Sequence, residues 1–370
     1  MLKRLSYLKF SVQELFLRRF QRFDFIGSKE KNLSVYHNSK KGNSGYCPNL
    51  PLNINVEVTS KCNLSCKMCN IHHNTKGGIN INDRLLEQTF ELAKTANMVS
   101  PFGLGESLLY PKIAKIIGKY KSLGPMVSII TNGMLLNENI SRELIMQGLD
   151  HLGISVDSAE QALLTEIRRG ADLNKISNNI MKLNKLKKSL NSKNPVLSLN
   201  VVVQKSNFNQ LPQIIQLAEK WGIPSVDFLP ITTHKHISNI QNESLKSGLP
   251  NWNEIMERCY KEADLRGINI DTQRLYYVLS GSAPFKVYKE IASCPEPFRF
   301  MMIRANGDIF PCCNWDVNQP IAKFPKNLKK AWQSSDWHSL RKDIVSNSYP
   351  GLCKICMGEF TRPFQDEKQS

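Results

Sequence analysis

Three cysteines in one short loop are the residues of this chain that are most able to do chemistry. Cys62, Cys66 and Cys69 have the spacing Cys-x3-Cys-x2-Cys. Cubane iron–sulfur clusters are held by Cys thiolates, normally four of them. Three thiolates therefore leave one iron with an open position, where a small molecule can bind and react. A structural zinc site fits this spacing poorly, because it usually closes a tetrahedral set built from paired Cys-x2-Cys knuckles.

A second group of cysteines lies near the C-terminus. Twelve residues separate Cys294 from Gly307, four more precede Cys312, and the pair Cys353 and Cys356 follows with Cys-x2-Cys spacing. Four thiolates can close a metal site, either around zinc or as an iron–sulfur cluster. On the residues alone, both interpretations stay open.

The segment between these cysteines predicts a β-hairpin. Residues 303–309 read Ile-Arg-Ala-Asn-Gly-Asp-Ile, and an Asn-Gly pair between apolar runs is a strong hairpin signal. The hairpin would bring Cys294 and Cys312 together. Cys313 is an alternative to Cys312 as the ligand.

The composition fits a globular protein that stays in the cytosol. The chain has 370 residues, of which 41% are hydrophobic and 22% charged, and is long enough for more than one domain. No stretch of about 18 uncharged apolar residues exists, so we expect no membrane span. Basic residues interrupt every apolar run near the N-terminus, so we expect no secretory signal either. Since the cytosol keeps thiols reduced, the ten cysteines favour cluster or metal ligation over disulfides. Cys47 and Cys259 stand apart from both groups, and the sequence assigns them no role.

The formal charge of +17 is a weaker indication. A basic surface attracts nucleic acid, anionic lipid or acidic substrates. The lysines are spread along the chain, however, and no basic motif is interleaved with aromatic residues, so we do not favour nucleic-acid binding. The dense run at 168–193 predicts the solvated face of a helix, formed by Lys182, Lys185, Lys187 and Lys188.

Residues 1–50 are expected to be a helical extension and linker outside the catalytic domain. Apolar residues recur at helical spacing from Val12 to Phe23, with arginines mostly beside or opposite them. Such a basic helix lies on a membrane surface, docks a partner, or packs on the body of its own protein. We favour the last interpretation.

Residues 51–235 alternate short β-rich runs with helical segments, which predicts six βα units and a parallel sheet. The predicted strands are 54–58, 98–102, 127–130, 152–157, 196–203 and 226–229. The fold class that follows is α/β, a partial (β/α)6 barrel. Residues 236–290 are interpreted as a mainly helical linker, and residues 291–370 as a small Cys-rich α+β domain.

Polar residues follow these strands at the edge where parallel sheets gather their ligands. The cysteine loop follows the first predicted strand, so we expect one active site at this edge. The polar candidates are Gly105, Glu106, Asn132, Ser155, Asp157, Arg168 and Asn200. Taken singly, each is equally well explained as a polar group of a turn or core.

With these motifs in place, residues 50–360 resemble a radical S-adenosylmethionine (SAM) enzyme with a C-terminal auxiliary-cluster domain of the SPASM/twitch type. The resemblance implies that Cys62, Cys66 and Cys69 hold a [4Fe–4S] cluster whose open iron binds SAM. Reductive cleavage of SAM would give a 5′-deoxyadenosyl radical that abstracts hydrogen from a substrate. Met68 departs from the family pattern, which usually has an aromatic residue before the last cysteine.

The resemblance also implies how SAM is held after the second and fourth strands. Gly105 and Glu106 match the end of the family's Gly-Gly-Glu motif, in which Leu104 replaces the first Gly, and would bind the SAM amino group. Ser155 and Arg168 would bind the SAM carboxylate, since a guanidinium suits a carboxylate fork.

Three further contacts are implied in the same way. Asn132 is expected to bind the SAM ribose, and Asn200 on the fifth strand is expected to make another SAM contact. Asp157 completes the family's Ser-x-Asp segment that begins at Ser155.

The C-terminal cysteines resemble the Cys-x(9–15)-Gly-x4-Cys and Cys-x2-Cys pattern of the twitch group. No cysteine follows Cys356, whereas a full SPASM domain has further ones. The resemblance therefore implies one auxiliary [4Fe–4S] cluster, held by Cys294, Cys312, Cys353 and Cys356. Such a cluster would accept electrons, which suits a two-electron oxidation. An electron donor such as flavodoxin or ferredoxin is also implied.

We expect a radical SAM oxidoreductase that acts on a small molecule, such as a sugar, an aminocyclitol or a nucleotide-linked compound. The alternative within the family is a peptide-modifying maturase, which residues 1–50 serve poorly because they are too short for a peptide-recognition domain. An alternative of another class is a non-catalytic, zinc-stabilised protein that binds nucleic acid or a membrane. No catalytic acid or base is assigned, because loop histidines are commonly solvent-facing, as we expect for His72, His73, His234 and His236.

Overall fold

The structure is a computed structural model. It describes residues 28–39, 45–69, 78–232, 238–245, 249–280, 294–315, 318–324, 327–351 and 353. The predicted helix at 12–23, the two histidine pairs and Cys356 lie outside the described residues.

Short strands alternate with helices along the described chain, as the sequence predicts. The strands are β1 (Asn53–Val56), β2 (Ser65–Cys66), β3 (Met98–Ser100), β4 (Met126–Thr131), β5 (His151–Ser155), β6 (Arg168–Arg169), β7 (Val196–Val203), β8 (Ser225–Pro230), β9 (Asn269–Asp271), β10 (Phe300–Ile303), β11 (Asp308–Phe310) and β12 (Ala322–Lys323). The helices are α1 (Ser28–Ser39), α2 (Asp83–Ala93), α3 (Ile113–Ser122), α4 (Glu138–Met146), α5 (Gln161–Ile167), α6 (Leu173–Ser189), α7 (Leu211–Lys220), α8 (Trp252–Arg266), α9 (Gln273–Ser280), α10 (Glu296–Arg299), α11 (Leu328–Trp332) and α12 (Ser335–Val345).

The chain forms two compact units, and neither is continuous in sequence. The first unit takes the described residues of Cys62–Lys76 and Ile130–Pro284. The second takes those of Asp24–Lys61, Gly77–Ile129 and Phe285–Ser370. The linear domain boundaries expected from the sequence therefore stay a prediction.

The sheet of the first unit has four parallel strands in the order β5-β7-β8-β9. Because side chains alternate between the faces of a strand, the sheet has one apolar face and one face that carries its polar side chains. The apolar face forms the core of the unit, and its fully buried residues include Leu152, Ile154, Leu199, Val201, Val226 and Phe228.

Helix α6 shows how the lysine-rich segment folds. The Asp172 side chain caps the helix by accepting from the amide of Lys175 at 2.9 Å, and Ile176, Ile180 and Leu183 are buried at helical spacing. The predicted solvated face is present, with Lys182, Lys185 and Lys188 exposed. The half-buried Lys187 instead donates to the carbonyl of Pro195 at 2.6 Å.

The sheet of the second unit has the order β12-β11-β10-β1-β3, followed by the first residues of β4. The predicted hairpin is confirmed: β10 and β11 are antiparallel, and Gly307 occupies the turn with φ +88°. Strand β10 also pairs in parallel with β1, aligning Phe300 with Asn53. This pairing was not predicted, because a short apolar run does not indicate which distant strand it will pair with.

The C-terminal part of the second unit has an aromatic core around a buried arginine. The Trp332 and Trp337 rings lie 4.7 Å apart, and the Arg341 guanidinium lies 4.3 Å from the Trp332 ring. Arg341 also donates to the carbonyls of Pro297 and Trp332 at 2.9 and 3.0 Å. Cation–π contact and carbonyl acceptors stabilise this charge away from water.

The α/β class with a mostly parallel sheet is confirmed, but the predicted helical linker at 236–290 contains a strand. Strand β9 is three residues long and includes the exposed Asn269, so it carries no apolar run that the sequence could reveal. Pairing with β8 creates it. Within the described residues, no helix is long and apolar enough to cross a membrane.

Candidate functional site

A two-residue ladder fixes the cysteine loop in the first unit. Strand β2 pairs antiparallel with β6, which places Cys66 opposite Arg168, and the amide of Lys67 donates to the carbonyl of Ile167 at 2.9 Å. Backbone hydrogen bonds therefore hold the loop on the side that faces β6.

The three loop cysteines are partly exposed and lie within electrostatic reach of one another. The pKa of the Cys66 thiol is raised to about 11, mainly by burial; Arg168 opposes the rise, and the charges of Cys69, Asp157 and Cys62 add to it. Among the described residues, no three His, Cys, Asp or Glu side chains are arranged as metal ligands. The three thiols are therefore close enough to interact electrostatically, and binding of an iron cluster would require them to move closer together.

Arg168 lies between the loop and a buried aspartate. Its Nε is 2.6 Å from Asp157 Oδ2 in an ion-pair contact, and its Nη2 donates to Asp157 Oδ1 at 3.1 Å. Its Nη1 is 4.0 Å from Cys66 Sγ. A guanidinium at this position favours the thiolate form of the cysteine, which is the form that binds iron.

Asp157 is fully buried and fully engaged within the protein. Besides Arg168, its Oδ1 accepts from the amide of Val202 at 2.8 Å, and its carbonyl accepts from Asn207 at 2.8 Å. Its described contacts fix Arg168 in place, so we interpret Asp157 as a positioning residue. The predicted SAM contact of Asp157 stays a prediction.

Asn132 is tied to the cysteine loop. Its Nδ2 donates to Asn63 Oδ1 at 2.9 Å, and its Oδ1 accepts from the amide of Met134 at 3.0 Å. The end of β4 is thereby joined to the residue next to Cys62. The predicted ribose contact of Asn132 stays a prediction.

Ser155 and Asn200 are neighbours across β5 and β7. They are register partners, so their side chains lie on the same face of the sheet, and both are partly exposed. The Asn200 amide lies over Gly153, where an added Cβ would come within 2.9 Å of its Nδ2. Asn200 Oδ1 also accepts from Ser198 at 3.1 Å. The structure therefore brings together these two predicted SAM contacts.

Gly105 and Glu106 belong to the second unit, where the chain approaches itself closely. A Cβ on Gly105 would lie 2.2 Å from the carbonyl oxygen of Thr59, so only glycine fits there. The amide of Glu106 donates to the carbonyl of Lys61 at 2.8 Å, and its carboxylate accepts from the amide of Leu108 at 3.2 Å. The motif therefore supports the backbone just before the cysteine loop.

Sequence reasoning missed Glu57, a buried carboxylate directly after β1. Its Oε2 accepts from the amide of Leu104 at 2.9 Å, and its Oε1 from the amide of Ala305 at 3.4 Å. A Cβ on Gly103 would come within 2.5 Å of Glu57. The available signal was a single acid inside an apolar strand run, a setting where Glu is rarely buried without partners.

The described C-terminal cysteines also converge. Burial raises the pKa of the Cys312 thiol well above its usual range, and the charges of Cys313, Cys294 and Cys353 raise it further. Cys294, Cys312 and Cys353 are partly buried, whereas Cys313 is exposed. Three of the four predicted ligands thus lie near each other, and the fourth, Cys356, lies outside the described residues.

Both cysteine groups fit the cofactors implied by the sequence. The first offers three soft thiol donors beside a cationic side chain, and the second offers closely placed thiols in a drier setting. Among the described residues of the first unit, the Ser155–Asn200 pair presents polar groups of the kind that bind a ligand such as SAM. The ligand assignments themselves stay predictions.

Two family models match the chain. The radical SAM superfamily matches residues 56–218, and the SPASM iron–sulfur cluster-binding domain matches residues 294–357. The first range contains the cysteine loop and the strands β2 to β7, and the second contains all four C-terminal candidate ligands.

Individual relatives agree with these matches. The tungsten-containing aldehyde ferredoxin oxidoreductase cofactor-modifying protein of Pyrococcus furiosus is 27% identical over 268 residues, which covers 70% of this chain and 69% of that protein. The GTP 3′,8-cyclase of Clostridium botulinum is 29% identical over 185 residues, or 48% of this chain and little more than half (56%) of the cyclase. Among solved structures, Streptococcus suis SuiB bound to SAM has a TM-score of 0.65 at 17% identity, over 91% of this chain and 79% of SuiB.

The radical SAM match implies a [4Fe–4S] cluster and SAM as cofactors, and the SPASM match implies auxiliary iron–sulfur ligation. The likeness to SuiB shows that the fold is the one these enzymes use. The chain therefore contains a radical SAM domain at residues 56–218 and a SPASM iron–sulfur cluster-binding domain at residues 294–357.

Proposed function

We propose that this protein is a radical SAM enzyme that oxidises a small molecule. The observation that carries the proposal is the loop of Cys62, Cys66 and Cys69, whose partly exposed thiols are held beside the Arg168 guanidinium. When bound, the cluster and SAM supply a 5′-deoxyadenosyl radical that takes a hydrogen atom from the substrate.

The residues around the loop prepare it for this chemistry. Asp157 holds Arg168 in one orientation, and Arg168 favours the thiolate of Cys66. Ser155 and Asn200 present polar groups on one face of the sheet and are our candidates for SAM binding in the first unit. For the second unit, Gly105 and Glu106 are the candidates that the family motif supports.

The C-terminal cysteines are the reason for proposing an oxidation. Four thiolates close a cluster, which can then exchange electrons but cannot bind substrate. We assign Cys294, Cys312, Cys353 and Cys356 to this cluster as an electron acceptor, which favours two-electron oxidation. A cytosolic location and an electron donor such as flavodoxin or ferredoxin belong to the same proposal.

The substrate we propose is small and carries amine or hydroxyl groups, because the polar face of the β5-β7-β8-β9 sheet presents Ser, Asn and Asp side chains. The cyclase and the cofactor-modifying protein are relatives whose names also point to small molecules. A second candidate is peptide modification, because SuiB was also solved with its precursor peptide SuiA.

Anaerobic reconstitution tests the proposal. We expect brown protein with about eight irons per chain and little zinc, which forms 5′-deoxyadenosine from SAM after reduction with dithionite. Cys259→Ala is the matched control, because Cys259 is a buried cysteine on α8 outside both groups and should leave iron content and SAM cleavage unchanged. Colourless protein with stoichiometric zinc would support the non-catalytic alternative instead.

Substrate class has its own test. Cells that produce this protein are grown in deuterated medium and separated into a fraction of small metabolites and a peptide fraction. Reduced holoenzyme and SAM are then incubated with each fraction. Deuterium in 5′-deoxyadenosine from the metabolite fraction alone is the expected result. Deuterium from the peptide fraction alone would replace small-molecule oxidation by peptide modification.

A further inference from the structure

A row of polar residues crosses the sheet of the first unit, and the proposed function uses only half of it. Ser155, Asn200, Asp227 and Asp271 are successive register partners on β5, β7, β8 and β9. We call these four residues the polar row. Register partners lie on one face, and strands are about 4.8 Å apart, so the row is about 15 Å long. Its outer half consists of two aspartates.

Asp227 is the unusual member of the polar row. The neighbours along β8, Val226 and Phe228, are buried in the apolar core on the opposite face. Asp227 Oδ1 is itself buried, and no side chain or backbone group among the described residues donates a hydrogen bond to it. A buried oxygen without a donor costs free energy, so its presence points to a donor that arrives with a ligand.

The charges around Asp227 set its protonation. Burial, and then the carboxylate of Asp271, raise the pKa of Asp227 to about 7, while Arg274 on α9 opposes the shift. On the other side β7 contributes the neutral Asn200. The carboxyl group is therefore poised to change its protonation at neutral pH, and a cation placed beside it would lower its pKa.

We propose that Asp227, supported by Asp271, binds the protonated amino group of the substrate and then accepts its proton. An ammonium group suits the position because it offers the N–H donor that Asp227 Oδ1 lacks and a positive charge for two acidic side chains. In the transfer, one N–H bond breaks with its electron pair remaining on nitrogen, and an O–H bond forms on Asp227. The inference rests on the proposed function and narrows its substrate class to an amine-bearing small molecule.

A carboxyl titration of the holoenzyme tests this inference with methylammonium chloride as the probe. Infrared difference spectra should show a protonated carboxyl band that disappears with a midpoint near pH 7. We expect methylammonium to lower the midpoint by about one pH unit or more, whereas potassium chloride at the same ionic strength should not. Asp227→Asn should remove the band. Asp264→Asn, which changes an exposed acid on α8, should leave both the band and its response unchanged.

Two further measurements keep the test decisive. Asp271→Asn should lower the midpoint without removing the band, because it takes away a neighbouring negative charge; this variant also serves if Asp227→Asn does not fold. An unchanged midpoint with methylammonium, or a band that survives in Asp227→Asn, would overturn the inference. The same wild-type sample is assayed for 5′-deoxyadenosine, so a methylammonium response without SAM cleavage would overturn the proposed function and not the amine site.

Discussion

The two cysteine groups of this protein are built by different means. In the first unit, Cys62, Cys66 and Cys69 are close in sequence and share one loop that β2 and β6 hold in place. In the second unit, Cys294 and Cys353 are 59 residues apart and approach Cys312 only after the hairpin and the helices α11 and α12 have folded. The first group is local, whereas the second depends on topology.

Their electrostatic settings differ as well. A guanidinium lies beside Cys66, whereas the charges acting on Cys312 come from other cysteines, and its pKa is raised further. An open cluster that binds a charged ligand gains from a fixed cation close by. A closed cluster needs only its thiolates and a dry setting to hold electrons. The difference supports a reactive role for the first group and an electron-transfer role for the second.

Removal of one thiol from the open group should have the largest effect. Cys66→Ala leaves two ligands on the loop, so we expect about half of the iron to be lost. Formation of 5′-deoxyadenosine should fall by more than the roughly 10–100-fold that loss of an outer-shell partner costs. Iron analysis and chromatography of the reduced reaction mixture measure both effects. Normal SAM cleavage in Cys66→Ala would show that the loop does not hold the reactive cluster.

Removal of a thiol from the closed group should separate the two roles. Cys312→Ala should also lose about half of the iron, yet it should still cleave SAM, because the loop in the other unit is unchanged. Deuterium transfer from the substrate fraction should stay, and formation of the oxidised product should stop. Cys313→Ala is the matched neighbour, and as an exposed cysteine it should behave like wild type. If Cys313→Ala lost the iron and the oxidised product while Cys312→Ala behaved like wild type, Cys313 would be the ligand.

Removal of the charge beside the open group should also lower the stability of the protein. Arg168→Met leaves Asp157 buried without its partner, which should lower the free energy of unfolding by about 3–5 kcal/mol. Denaturant unfolding of the apo-protein measures this loss, and the pair Arg168→Met with Asp157→Leu should recover part of it, because no unpaired charge remains buried. Arg142→Met, which changes an exposed arginine paired with Glu138, should cost less than about 1 kcal/mol. If Arg168→Met and Arg142→Met lowered the free energy of unfolding equally, the buried pair would contribute no more than a surface pair.

Several features were predictable because they depend on neighbours in sequence. Strand β7 was predicted with the observed limits of Val196–Val203, and α8 with those of Trp252–Arg266. Both are bounded by residues typical of element ends, Pro195 before β7 and the left-handed Gly267 after α8. The Asn-Gly hairpin was predicted for the same reason, since its turn type follows from two adjacent residues.

Other features of the site depend on contacts that no local pattern encodes. Glu57 was missed because its partners, the amides of Leu104 and Ala305, are 47 and 248 residues away. Strand β9 was missed because three partly exposed residues have no periodicity to read. Asp227 lies inside a predicted strand and Asp271 in the predicted helical linker, so nothing in the sequence indicates that the two aspartates are neighbours.

Residue types and spacing alone predict the chemistry of this protein: which thiols stand together, how many ligands each group would supply, and which strands carry polar ends. These properties follow from residue type and short spacing, which the chain fixes before it folds. The tertiary structure alone decided that Arg168 faces Cys66, that Asp157 holds it there, and that Asp227 meets Asp271 in one row. Register sets such contacts, and register depends on which distant strands pair and on which face each side chain then lies.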